Sequence, residues 1–251
     1  MMNQDIYLSI VIPAYNEAHR ISDTLITTHK YLDRQPYRSE IIVIDDASTD
    51  TTIDVVKSLF YKIPNLRVIR HRKNQGKGAA IRTGALNLRG QFMLFMDADL
   101  ATPIEEIDKL LPHVTDYEVI IASRHIKKDS IKTRQSWYRQ LFSRIGNYFI
   151  QQMLLPGIKD TQCGFKLFSQ KAAYDLFSRL TVTRFGFDIE ILSLAATLDY
   201  RLKEVAVSWY DRPRGSVNII RDGWRVFLDV VQIKSRLINS LLHKTAYTQK
   251  V

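Results

Sequence analysis

The feature that most constrains this chain is a series of short apolar runs, each stopped by polar residues and separated by helical patterns. Tyr7–Ile12 is stopped by Pro13, Glu40–Ile44 by Asp45-Asp46, and Phe92–Met96 by Asp97. Leu66–Arg70 and Val119–Ala122 complete the set. Runs this short and this continuously apolar suit strands of a parallel sheet covered on both faces. Helical patterns lie between them at Arg20–Leu32, Thr51–Phe60 and Gly78–Leu88. Another begins at Thr102, where Thr102-Pro103-Ile104-Glu105 has the form of a capping box. The alternation predicts an α/β fold with an open, doubly wound, mostly parallel sheet. Ligands of such sheets bind beyond the carboxyl ends of the strands, which is where the polar clusters fall.

The second half is less regular. Gln135–Met153 reads as a long amphipathic helix, with Trp137, Tyr138, Leu141, Phe142, Ile145, Tyr148 and Phe149 at three- and four-residue steps. Phe185–Leu198 predicts a second helix beginning near Asp188, Arg201–Tyr210 a strand, and Trp224–Leu242 a third helix. No Gly/Ser/Pro linker divides the chain, and 251 residues suffice for one large domain. We therefore expect one domain with amphipathic C-terminal helices.

A net charge of +10 favours anionic partners, whether nucleic acid, phosphorylated small molecules or an anionic membrane surface. No zinc-finger, RNA-recognition or homeodomain pattern occurs, and a nucleic-acid module would leave the strand-end clusters unexplained. A single cysteine, Cys163, makes no internal disulfide and suits a reducing compartment. No basic segment precedes an apolar run at the N-terminus, and no run reaches the ~18 apolar residues of a membrane span. The expectation is a cytoplasmic protein, able to lie on the cytoplasmic face of a membrane.

Each cluster admits chemistry. Asp97-Ala98-Asp99 places two carboxylates where they could converge on Mg²⁺ or Mn²⁺, although Asp-x-Asp alone also fits two solvated side chains in a turn. In Pro13-Ala14-Tyr15-Asn16-Glu17, Tyr15 could stack on a base and Glu17 accept from a ribose hydroxyl; a turn with a packed tyrosine is the alternative. Asp45-Asp46-Ala47-Ser48-Thr49-Asp50 offers a carboxylate to a ring N–H, while Ser48 and Asp50 equally suit helix caps. Asn74-Gln75-Gly76-Lys77-Gly78 allows close backbone approach, with Lys77 free to meet a phosphate; a plain turn-and-cap fits as well. Arg124, Lys132 and Arg139 belong to a basic middle section, and Arg139 shares a helix face with Ser143, four residues on. Cys163 reads as a small buried residue rather than a nucleophile. Asp211 to Ser216 is a basic loop that could close over a diphosphate.

Taken together, Ser9–Glu17, Val43–Asp50, Asn74–Gly78 and Asp97–Asp99 resemble the large inverting glycosyltransferase family with the GT-A fold. Ser123-Arg124, the Arg139…Ser143-Arg144 helix with Asn147, Asp160–Phe168 and Phe187-Asp188-Ile189-Glu190 resemble the dolichyl- or polyprenyl-phosphate hexose synthases within it. Asp160–Phe168 is most similar to the dolichyl-phosphate β-glucosyltransferase branch, which points to UDP-glucose rather than GDP-mannose. The resemblance implies one GT-A domain over 1–251: a nucleotide-sugar half over about 5–125, an acceptor half over about 126–220 and a helical segment over about 221–251. It implies nucleotide-sugar contacts at Pro13, Ala14, Tyr15, Glu17, Asp45, Asp46, Lys77, Asp97, Ala98, Asp99, Arg212 and Ser216. It places the metal on Asp97 and Asp99, the acceptor phosphate on Arg124, Arg139 and Ser143, and catalysis on Asp97, Asp99, Arg124 and Arg139.

Two positions depart from that pattern. Ala101 stands where mannosyl relatives have Gln, and Val217 follows Gly215-Ser216 where relatives often have Lys. A phosphate acceptor is already ionised near neutral pH, its second pKa being about 6, and needs no strong base. A sugar-hydroxyl acceptor would need a carboxylate base, for which Asp188 or Asp160 are the candidates. A lipid acceptor would bring the enzyme to a membrane surface, through the amphipathic segments at Trp137–Met153 and Trp224–Leu242 with Arg221, Arg225, Lys234, Arg236 and Lys244; core packing or an oligomer contact would use the same apolar faces.

Overall fold

The computed structural model describes residues 6–131, 146–212 and 225–237. Among them, β1 (Leu8–Ala14), β2 (Ser39–Asp45), β3 (Leu66–Arg70), β4 (Phe92–Met96), β5 (Val119–Ser123), β6 (Phe165–Ser169) and β7 (Leu202–Ala206) form one sheet. Its order is β3-β2-β1-β4-β6-β5-β7. All neighbours run parallel except β6, which is antiparallel to both β4 and β5. The helices are α1 (Ile21–Leu32), α2 (Thr52–Ser58), α3 (Lys77–Ala85), α4 (146–153), α5 (Gln170–Arg179), α6 (Phe187–Thr197) and α7 (225–237).

The continuous apolar runs follow from a sheet buried on two sides. Leu8, Ile10, Ile12, Ile41, Val43, Leu94, Met96, Phe165 and Leu167 pack on one face, with α1 and α2. Val11, Ile42, Ile44, Met93, Phe95, Val119 and Ile121 pack on the other, with α3, α5, α6 and α7. Burying each such side chain contributes about 1.5–3 kcal/mol, so neither face of these strands tolerates a polar residue cheaply. Gly84 of α3 lies against Val11: a Cβ there would come within 2.2 Å of Val11 Cγ1.

Four local expectations are corrected. Pro13 does not end β1; pairing with β4 stops at Val11, but pairing with β2 continues through Pro13 to Ala14. Thr102–Glu105 forms no capping box. The segment after it is 3₁₀-helical, Ile104–Lys109 and then Leu111–His113, and the Thr102 hydroxyl faces Cys163 Sγ at 3.9 Å. Pro112, which lacks an N–H, prevents an α-helical continuation. The strand expected over Arg201–Tyr210 is shorter, with Trp209 making only an isolated bridge to Ile131. Finally, β6 and α5 lie in a stretch the sequence pattern left unassigned. The first part of the expected Gln135–Met153 helix and both ends of Trp224–Leu242 lie outside the described residues.

Candidate active site

The loops leaving β1 and β2 are fastened to each other before any ligand is considered. Asn16 N–H donates to Ser48 Oγ (3.0 Å), Thr49 N–H donates to Asn16 Oδ1 (2.8 Å), and Glu17 N–H donates to Thr52 Oγ1 (2.8 Å). Asp50 receives the Thr52 N–H at 3.0 Å, so it caps α2, whereas Ser48 serves the neighbouring loop instead. Asn16, Ala47 and Leu100 carry left-handed backbone, with φ of 56°, 60° and 51°. Such conformations cost about 1 kcal/mol or more each in non-glycine residues and gather where loops are held for function. Tyr15 stands 46% exposed at the rim. Glu17 is held by Arg20, and burial pushes its carboxyl above the usual range despite that partner.

The two aspartates after β2 are inside the fold. Asp46 is buried, and both its oxygens receive donors: Oδ1 receives His71 Nδ1 (2.7 Å) and the Gln75 N–H (2.9 Å), and Oδ2 receives the Gly76 N–H (2.7 Å). These bonds shape the Asn74–Gly78 loop. A buried carboxylate needs such donors, and unpaired loop N–H groups need an acceptor. Asp45 is also fully buried. It accepts the Ser48 N–H at 3.2 Å and has Arg70 Nε 3.0 Å from its other oxygen, without hydrogen-bond alignment.

Asp97, Asp99 and Lys77 meet at the carboxyl end of β4. Lys77 opens α3 and reaches across to Asp97 Oδ1 at 2.6 Å. Burial alone would lower the Lys77 pKa; Asp97 and then Asp188 override this and raise it, so the ammonium stays charged. Asp99 accepts the Ala101 N–H at 2.9 Å, with Arg20 Nη1 3.9 Å away. Burial, then the charge of Asp97, pushes the Asp99 carboxyl above its ordinary value. Ala98 turns inward, its carbonyl fixed by the Thr24 hydroxyl at 2.6 Å. Both aspartate side chains remain about one-third exposed, at 32% and 28%. They form an oxygen-only pair, and such carboxylate oxygens suit a hard divalent cation. Among the described residues no group of three His, Cys, Asp or Glu is placed to hold a metal, so substrate and water oxygens would complete the shell.

Gly164 explains how Asp97 is aimed. The Asp97 N–H donates to Gly164 O at 3.1 Å, and a Cβ on Gly164 would lie 1.9 Å from Asp97 Oδ2. The carboxylate therefore occupies the space a side chain would take.

The residues that the sequence resemblance assigns to the acceptor side are neutralised in pairs. Asp160 is fully buried and gripped by Arg124 through the backbone N–H (2.8 Å), Nε (2.7 Å) and Nη2 (2.8 Å). Burial alone would raise the Asp160 pKa, but the Arg124 charge holds it below the usual range. Arg124 also faces the Trp209 ring at 5.4 Å. Its guanidinium is thus already half committed, because a buried carboxylate requires a counter-ion. Lys166, on β6, is almost wholly buried; it donates to Cys163 O at 2.6 Å and pairs with buried Asp188. Sequence reasoning missed Lys166. The signal was a lone cation between Phe165 and Leu167 in a strand covered on both faces. Burial pushes the Cys163 thiol up to about 12, as expected of a packing residue. Arg212 Nη2 reaches Leu100 O at 3.5 Å, which brings Arg212 to the Asp97–Asp99 turn. Arg139, Ser143 and Ser216 lie outside the described residues.

Known proteins resemble this chain over most of its length. The model of glycosyl transferase family 2 matches residues 9–177. Dolichyl-phosphate beta-glucosyltransferase of Dictyostelium discoideum is 34% identical over 247 residues, covering 93% of this chain and 76% of that protein. The Homo sapiens protein of the same name is 37% identical over 217 residues (80% and 67%). That of Saccharomyces cerevisiae is 32% identical over 251 residues (92% and 75%). Among solved structures, mannosyl-3-phosphoglycerate synthase from Rubrobacter xylanophilus superposes with a TM-score of 0.70 at 18% identity, over 95% of this chain and 75% of that one. Glucosyl-3-phosphoglycerate synthase from Mycobacterium tuberculosis, in complex with Mn²⁺ and UDP-glucose, gives 0.68 at 19% identity (92% and 79%). The fold is GT-A.

Proposed function

Because the chain is a glycosyltransferase belonging to glycosyl transferase family 2, we propose that it transfers glucose from UDP-glucose to a dolichyl or other polyprenyl phosphate, inverting the anomeric carbon. The named relatives support the donor and acceptor. The observation that carries the acceptor class is the state of Asp160 and Asp188. Both candidate bases for a hydroxyl acceptor are buried and bound to cations, Arg124 and Lys166. Arg124 holds the Asp160 carboxyl below its usual range and so makes it a poor proton acceptor; burial pushes Asp188 up, but its Oδ1 is taken by Lys166, so proton transfer there would have to break that pair. A phosphate monoester needs no such help: with a second pKa of about 6 it attacks as an anion.

In this reading a phosphate oxygen of the acceptor forms the new bond to the anomeric carbon as the bond to the diphosphate breaks, and UDP leaves with the electron pair. Asp97 and Asp99 would hold Mg²⁺ or Mn²⁺, which supplies charge neutralisation to the departing diphosphate. Lys77 and Arg212 add positive charge on the same side, from two other loops. Pro13, Ala14, Tyr15 and Glu17 form the nucleoside edge, with Asp45 and Asp46 as its internal supports. Arg124 contributes to the acceptor phosphate through the part of its guanidinium that Asp160 does not engage, together with Arg139 and Ser143. The one-sheet architecture is compatible with a single catalytic domain over the chain.

A greasy acceptor requires access to a lipid surface. Among the described residues no helix is long and apolar enough to cross a membrane. On α7, Val230 and Ile233 are buried, whereas Phe227, Leu228 and Val231 are 39%, 50% and 46% exposed. We assign this outer face, with Arg225 and Lys234 on the same helix, to peripheral contact with an anionic membrane on its cytoplasmic side; Arg236 instead turns to Thr181 and Glu190.

The test compares acceptors and donors. Polyprenyl phosphate should accept the sugar and the matching polyprenol should not; UDP-glucose should outperform UDP-galactose, UDP-N-acetylglucosamine and GDP-mannose. Equal use of the polyprenol would overturn the phosphate-nucleophile argument, and preference for GDP-mannose would overturn the donor.

A further inference from the structure

The Phe187-Asp188-Ile189-Glu190 motif has an acid to which the mechanism assigns nothing. Glu190 lies in the first turn of α6 and is 5% exposed. Its carboxylate gathers one short segment: Oε2 receives the N–H groups of Thr181 (3.0 Å) and Val182 (2.6 Å), and Oε1 receives the Thr181 hydroxyl (2.6 Å). Charge-assisted bonds of this kind are about twice as strong as neutral ones, and three on one buried carboxylate fix the segment's position.

That segment is pressed against the loop bearing Lys77. Thr183 O accepts the Ala79 N–H at 3.1 Å. A Cβ on Gly76 would lie 2.5 Å from Thr183 O, and one on Gly78 would lie 2.7 Å from both Val182 O and Phe187 Cβ. Gly76 also has φ of 100°, a backbone open to glycine. The residues on both sides of Lys77 are therefore glycines because residues 182–183 occupy the space beside them. Asp46 holds the same loop from the opposite side through the Gln75 and Gly76 N–H groups. Lys77 is left pointing at Asp97 between two carboxylate-anchored walls.

We propose that Glu190 is a positioning residue for the nucleotide-sugar site: it fixes residues 181–183, which set the Gly76–Gly78 backbone and so aim Lys77 at the donor diphosphate. The α7 helix is tied into the same unit. Arg236 contacts the Thr181 hydroxyl and lies 3.9 Å from Glu190 Oε1, and Gly186 leaves room for Asp229, to whose Oδ2 a Cβ would come within 2.3 Å. This inference rests on reading Asn74–Gly78 as a donor loop.

The experiment measures Mn²⁺-UDP binding by calorimetry and separate KM values for UDP-glucose and polyprenyl phosphate, on the full chain and on Glu190→Gln, Glu190→Ala and Thr181→Val. Thr181→Val removes one of the three bonds at an exposed residue, so it reports even if the Glu190 variants fold poorly. The loss of UDP affinity should grow from about threefold for Thr181→Val to about tenfold for Glu190→Gln, the loss of one and then of most of a charged hydrogen-bond set. Donor KM should rise in step, with acceptor KM unchanged. Unchanged UDP affinity in folded variants, or an equal rise in both KM values, overturns the proposal. Absence of UDP binding by the unaltered chain instead overturns the donor-loop reading on which it stands.

Discussion

Gly164→Ala moves a proposed metal ligand without deleting it. The added Cβ would sit 1.9 Å from Asp97 Oδ2 and 2.5 Å from Cγ. Ordinary contact begins near 3.4 Å, so the carboxylate must retreat by about 1.5 Å. Gly164 needs no left-handed backbone, and the group that yields is one-third exposed, so folding stability should fall by only about 1 kcal/mol or less. Catalysis should suffer far more, since misplacing a catalytic group by about 1 Å costs on the order of 100-fold. The assay is metal-dependent UDP-glucose turnover with a thermal melt on the same preparation. A double-mutant cycle sharpens it: in an Asp97→Ala background the clash is gone, and adding Gly164→Ala should change the rate little. A single variant with near-normal turnover, or a full additional loss in the Asp97→Ala background, would refute the reasoning.

Asp160→Asn should destabilise the fold by about 3–5 kcal/mol, because it leaves Arg124 without its buried partner; chemical denaturation measures this. Arg124 lowers the folded-state pKa of Asp160, so the pair's contribution is present above the unfolded value of about 3.9 and is lost as pH falls through the lower folded value; the variant should lack this acid-side step in denaturation midpoints. Cys163 should resist thiol reagents at pH 8 in the folded protein, and Cys163→Ala should keep its activity; rapid labelling would contradict the buried thiol. Replacing Phe227, Leu228 and Val231 with Ser should weaken sedimentation with anionic vesicles while turnover of a short, water-soluble polyprenyl phosphate persists; undiminished sedimentation would remove α7 from the membrane contact.

The parts legible in the sequence were those set by local pattern. The parallel strands declared themselves because a sheet buried on both faces must be apolar at consecutive positions, as in Ile41 to Ile44. Strand β6 escaped because Lys166 interrupts its pattern; its counter-ion is Asp188, 22 residues away. The Thr102 motif misled because a capping box is a local form, while the Thr102 hydroxyl was claimed by Cys163, 61 residues away. The candidate site divides the same way. Asp97, Asp99 and Lys77 could be named from strand ends and a helix start, and the fold brings them together. The commitment of Asp46 to Gly76, of Asp160 to Arg124 and of Glu190 to Thr181 depends on side chains meeting across the fold, which spacing does not encode.

The central claim is metal-assisted transfer of glucose to an already ionised lipid phosphate. Its most direct measurement is extraction of radiolabelled glucose into organic solvent after incubation of the chain with labelled UDP-glucose, polyprenyl phosphate and Mn²⁺, with and without EDTA. The account predicts organic-phase label that EDTA abolishes and that Asp97→Asn and Asp99→Asn each reduce by at least about 100-fold, the scale of losing a fixed transition-state charge contact. Label that stays in the aqueous phase, or transfer that survives EDTA undiminished, would contradict it.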